Sequence, residues 1–92
     1  MYEDEYIKEI KMREKTEEEK EIDLIISIIK ARKELDEANK NFEYANGDLI
    51  DYYTYKIKAT RAKIDYLIKK AKEKGLAMGM IDQIDLTYNK VI

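Results

Sequence analysis

The sequence predicts an all-α protein: an antiparallel helical hairpin with a short C-terminal third helix, completed into a four-helix bundle by dimerisation. Three observations carry that expectation. Leu24, Ile28, Ala31, Leu35, Ala38, Phe42 and Ala45 recur at alternating spacings of 4 and 3, and so do Ile50, Tyr53, Ile57, Thr60, Ile64, Leu67 and Ala71. Seven-residue apolar repeats of this kind place one stripe of a helix against a partner helix. A single breaker, Asn46-Gly47-Asp48, separates the two stripes. Two long helices joined by so short a break must run antiparallel. The composition agrees: no Pro, only three Gly and 41% charged residues suit long solvated helices rather than turn-rich sandwiches or barrels.

Residues 1–15 form a charged N-terminal segment whose apolar groups are Tyr2, Tyr6, Ile7, Ile10 and Met12. Tyr6 and Ile10 are one helical turn apart, so a short helix here is allowed. Thr16-Glu17-Glu18-Glu19 fits a capping box, a hydroxyl at the N-cap with a carboxylate three residues on. Helix 1 is expected over about 16–45, although a continuous helix from Tyr2 is not excluded by propensity. Asn46 and Gly47 accept positive φ cheaply, which ends helix 1. Asp48 then caps helix 2, expected over about 49–74 after a turn at 46–48, with Asp51 in its first turn. Gly75 is the natural residue to end it, with Leu76 supplying the apolar contact beyond. The hairpin unit is 16–75. The tail, 76–92, is expected to bend at Leu76 to Met80, which follows Gly75 and holds Gly79, and to form a short helix over 80–89. Ile81, Ile84 and Tyr88 would share the face that returns to the hairpin.

From Ala31 to Leu76 the chain resembles the YaaL-like family of small bacterial proteins, found mainly in Gram-positive species. The matching residues are Glu34, Ala38 and Phe42, then Asp48-Leu49-Ile50-Asp51, Tyr55, Ala59, Tyr66-Leu67 and Ala71-Lys72. The resemblance covers about half the chain and departs from the family at the turn, where Asn46-Gly47 replaces an Asp-Pro-like pair. It implies the same two-helix unit. The family has no established function, so no activity, cofactor or site residue is carried over.

The segment Ile22 to Ile29 is apolar at six of its eight positions. Successive helical residues step by about 100°, so these side chains cover most of the circumference, and one partner helix cannot bury them all. A second copy of the chain is the favoured cover, with Ile22, Ile25, Ile26 and Ile29 as its self-association residues. The tail or the N-terminal segment is the intramolecular alternative, and a β-strand over this β-branched run is the third.

Charge is segregated. Residues 1–23 hold ten acids against five bases, and residues 56–74 hold eight bases against two acids. An anion-binding face would use Lys56, Lys58, Arg61, Lys63, Lys69, Lys70 and Lys72. Internal neutralisation competes with it, because a hairpin centred on Gly47 sets 56–74 opposite 20–38. Eight Tyr are present, and Tyr44, Tyr52 and Tyr55 gather round the turn. Their large apolar rings with polar tips suit a protein partner better than base stacking.

No Cys removes thiolate chemistry and no His removes the commonest general base and metal ligand. No phosphate loop, nucleophile–base pair or metal-ligand spacing is evident. No apolar run approaches the ~20 residues of a membrane span, and the first residues are acidic where a signal peptide is basic. The expectation is therefore a cytoplasmic, non-enzymatic structural or interaction module without cofactor or metal. It would act as a homodimer with a protein partner; the alternative is a nucleic-acid accessory protein that uses the basic face of helix 2.

Overall fold

The structure, a computed structural model, describes residues 14–91, with side chains through Thr87. Three helices follow one another: α1 (Glu17–Glu43), α2 (Asp48–Glu73) and α3 (Met78–Val91). The expected all-α hairpin with a short third helix is what forms. The short helix anticipated around Tyr6 and Ile10 lies outside the described residues. The chain is non-helical at 14–16, so α1 starts at Glu17 and does not run on from Tyr2.

The start of α1 is set by Thr16. Its Oγ1 accepts the Glu19 amide at 3.1 Å, and its hydroxyl lies 3.3 Å from the Glu19 carboxylate. One otherwise orphaned amide is thus satisfied, and Glu17, Glu18 and Glu19 sit at the positive end of the helix dipole. The end of α1 tightens into three-residue bonds, with the Tyr44 and Ala45 amides donating to Asn41 and Phe42 carbonyls at 3.2 and 3.1 Å.

The reversal differs in detail from the sequence expectation. Only Gly47 takes positive φ (φ 57°, ψ −127°); Asn46 does not. Asp48 is not the cap. Gly47 is the capping residue, without a side-chain bond, and Asp48 is the first helical residue. A residue lacking Cβ can turn the chain at one position, so α2 begins one residue early and Asp48 acts through the dipole alongside Asp51.

At the other end, α2 closes as anticipated. Gly75 has φ 76°, its amide donates to the Lys72 carbonyl at 3.0 Å, and the Leu76 amide donates to Ala71 at 3.0 Å. This pair of bonds is the Schellman closure, and Leu76 supplies its apolar contact. The bend ends sooner than expected. The Ala77 carbonyl already accepts the Met80 and Ile81 amides, so Gly79 lies inside α3 rather than in the bend.

α1 and α2 pack along the predicted stripes, and their contact dominates the molecule. Ala31, Ala38, Thr60 and Ala71 are buried in the seam, small residues that let the helices approach closely. The buried seam sets the antiparallel register, and the exposed ion pairs Glu17–Lys74 (3.6 Å) and Glu34–Lys63 (3.5 Å) span the two helices at two levels within it. α3 meets the hairpin more lightly. It inserts Ile81, fully buried, against Ile25, Ile28, Ile29 and Ala71, with Leu24, Leu67, Leu76 and Met78 packed around them. Burying Ile28 and Ile81 completely contributes roughly 1.5–3 kcal/mol each. Towards the turn the seam opens: Phe42 and Ile50 remain 41% and 43% exposed.

The two glycines beyond α2 should respond to Ala in opposite directions. Gly75→Ala meets no steric obstacle but forces a side chain into positive φ, and should cost about 1–2 kcal/mol. Gly79→Ala, helical and in open space, should gain about 0.5–1 kcal/mol. Thermal unfolding followed by circular dichroism distinguishes the two. Equal effects would contradict the assignment of Gly79 to α3.

Candidate interaction surfaces

The apolar run on α1 is divided by α3. Ile25 and Ile29 face the contact with Ile81 and are buried within the chain, whereas Ile22 and Ile26 stand 50% and 43% exposed. Of the four residues expected to self-associate, two are thus already covered by the tail and two remain outward. Ile22 and Ile26 are a helical turn apart and lie three residues from Ile25 and Ile29, so they border the α1–α3 contact. On α3, Met80 and Ile84, also a turn apart, are exposed beside buried Ile81, and Leu86 is exposed further on. Ile84 was expected inside with Ile81 and is outside.

What fastens α3 besides Ile81 is a pair of ion pairs that share Arg32, which the sequence reading did not single out. Arg32 Nη1 lies 2.9 Å from Asp82 and 3.1 Å from Asp85. Partial burial disfavours the charged guanidinium, but hydrogen bonds with Asp85 and Asp82 outweigh it and hold the group above its ordinary pKa. The available signal was the spacing of Asp82 and Asp85 on the face of α3 next to Ile81. Arg32, Ile29, Lys33, Asp36 and Asp85 line a groove of about 310 Å³ beside this clamp.

Around the turn, Phe42, Tyr44, Leu49, Tyr52 and Tyr55 are all exposed. Tyr52 meets half-buried Tyr53 edge-on, with ring centroids 4.8 Å apart. The three tyrosines expected near the turn are therefore gathered at one end of the hairpin and outward, as a partner surface needs.

The basic residues of α2 do not act as one face. Lys63 pairs with Glu34, Lys70 reaches Glu73 at 3.9 Å and lies over the Tyr66 ring, and Lys56 lies over the Tyr52 ring. Lys70 and Lys74, with Lys20 and Asp23, rim a second groove of about 360 Å³ between α1 and α2, floored by Leu24, Ser27, Tyr66 and Leu67. At its mouth the Lys20 hydrogen bond, with Lys74 nearby, lowers the pKa of Glu17. Lys58, Arg61, Lys69 and Lys72 are exposed and make no ion pair among the described residues.

Among the described residues no helix is long and apolar enough to cross a membrane, and no group of three or more acidic side chains converges as a metal site would require. The fold and these surfaces define a small all-α chain, a helical hairpin with one lightly docked helix, whose exposed features are an apolar strip, an aromatic tip and a cationic side. The chain belongs to the family described as "protein of unknown function (DUF2508)", which it matches over residues 7–78. No curated protein and no solved structure matches it.

Arg32→Ala should release α3 while leaving the hairpin. For a half-exposed ion pair the loss is about 1 kcal/mol, or roughly fivefold in the protection of α3 amides. Hydrogen exchange should show that loss in 78–91 with α1 and α2 unchanged. Uniform loss across all three helices would mean that α3 and the hairpin open as one unit.

Proposed function

We infer that the protein is an interaction module that self-associates along the α1–α3 face and presents the aromatic tip to a protein partner. The observation that carries the reading is the exposure of Ile22 and Ile26 beside a fully packed core. Nothing among the described residues covers them, and a second copy of the chain would do so. Met80 and Ile84 are exposed on α3 beside buried Ile81, so a twofold contact that spans both helices could bury them with Ile22 and Ile26 and complete a bundle. At the far end of the hairpin, Tyr44, Tyr52 and Tyr55 offer rigid rings with polar tips, the residue type enriched in the cores of interfaces. The resemblance to the YaaL-like bacterial proteins fits this reading, as does a cytoplasmic location; neither supplies a reaction. No catalytic or cofactor role is assigned to any residue.

Mass in solution tests the first half directly. At several concentrations, light scattering should give about 22 kDa for the wild type, twice the 11.0 kDa of the chain. Ile26→Lys should give the monomer mass with unchanged helical content, because Ile26 is not part of the buried core. A wild type that is monomeric at every concentration would overturn self-association.

A further inference from the structure

The cations of α2 fall on two sides of the seam. Lys56, Lys63, Lys70 and Lys74 share one side, and each is engaged: with the Tyr52 ring at 5.8 Å, with Glu34 at 3.5 Å, with Glu73 at 3.9 Å, and with Glu17 at 3.6 Å. Lys58, Arg61, Lys69 and Lys72 share the other, because steps of 3, 8 and 3 residues keep returning to the same azimuth of a 3.6-residue helix. These four are exposed and unpaired among the described residues, over about 21 Å of helix at 1.5 Å per residue. Asp65, seven residues from both Lys58 and Lys72, stands within this stripe and is its one acid, so the stripe carries four cations against one carboxylate.

We propose that this second side of α2 binds the backbone of a single-stranded nucleic acid. A protein partner of stable affinity needs several aromatic or aliphatic anchors that bury, and between Lys58 and Lys72 the only apolar member of the stripe is Ala62, with a single ring, Tyr55, beyond its end. A phosphate backbone needs no anchor of that kind. Its affinity comes from cations that displace condensed counterions, and Arg61 adds a planar fork suited to phosphate oxygens. One turn before Lys58 on the same side stands Tyr55, 68% exposed, at the end of the stripe, where a base next to the bound phosphates would stack on its ring. Internal neutralisation uses up only the first side of α2. Among the described residues the second side keeps four unpaired cations against Asp65, even though the whole chain carries a net −2. Tyr55 thereby has two uses, in which a stacked base and a protein at the tip would compete.

Fluorescence anisotropy with labelled oligothymidine and oligouridine tests the assignment on the intact chain, the two probes separating DNA from RNA. At about 50 mM salt both should bind, with log K falling linearly in log salt at a slope of about −2 to −3, or roughly 20- to 60-fold by 200 mM. The double variant Lys58→Glu/Lys69→Glu should weaken binding at least about tenfold. Lys40→Glu/Lys70→Glu, the same charge change at exposed positions away from both the stripe and the self-association face, should stay within about twofold if the site is local. Tyr55→Ala should cost about fivefold or more. All variants change exposed positions, and circular dichroism confirms that they fold. Absence of binding at low salt would overturn the proposal, as would equal loss in the two double variants. Labelled polyglutamate binding as tightly as the oligonucleotides would assign the stripe to acidic proteins instead.

Discussion

Ile81 is the side chain on which the arrangement of the rest depends. Two helices alone can bury one stripe each, and α1 carries apolar residues far round its circumference between Ile22 and Ile29. By inserting between Ile25, Ile28 and Ile29, Ile81 supplies a second cover and decides which isoleucines are inside. It also closes the end of the hairpin where α2 stops, since the Schellman turn at Gly75 brings Leu76 and Met78 onto the same cluster. The contact is a single deep residue reinforced by Arg32 and two aspartates. α3 is therefore the element with the least burial behind it, and local opening should begin there.

This closure leaves the hairpin unequal along its length. One end has three helices round a core of isoleucines. The other is a pair of helices held by buried Ala38 and Thr60 with half-buried Leu35, Tyr53 and Ile57, and it ends in a cluster of exposed rings. Small residues bring the helices close but bury little area per residue, so the turn end gains less from packing. Helical capping and the Gly47 reversal matter more there than at the core end. An aromatic tip on a weakly supported arm can also adjust to a partner at low cost, since few buried contacts resist the movement.

Much of this was legible in the residues. The alternating 4 and 3 spacing located the seam, and twelve of its fourteen positions are buried or half-buried; Phe42 and Ile50 fail because α3 does not reach the turn. Thr16 and Gly75 announced their roles because capping is local chemistry. The periodicity showed that Ile22 to Ile29 needs several covers, but it could not apportion them. A helical wheel gives the angle of a side chain and not the neighbour that meets it. For the same reason the cationic segment read as one face, and only the position of α1 shows that Lys63 and Lys74 meet its acids while Lys58, Arg61, Lys69 and Lys72 make no ion pair among the described residues. Arg32 escaped notice because its two aspartates lie some fifty residues away, in an element whose docking was itself an inference.

The division of charge on α2 bears on how the surfaces could coexist. A dimer built along Ile22, Ile26, Met80 and Ile84 uses the outward side of α1 and the exposed side of α3. The unpaired cations are on α2, which that contact does not require. Self-association would then double the number of cationic stripes without covering either. Two stripes on one particle raise the effective concentration of the second once the first is engaged, so weak phosphate contacts would combine on a strand long enough to reach both. An acidic chain tolerates such a site because screening at physiological ionic strength confines each charge to about 8 Å, and the acids of α1 that lie beyond that distance do not cancel it. Local arrangement rather than net charge therefore governs what this face attracts.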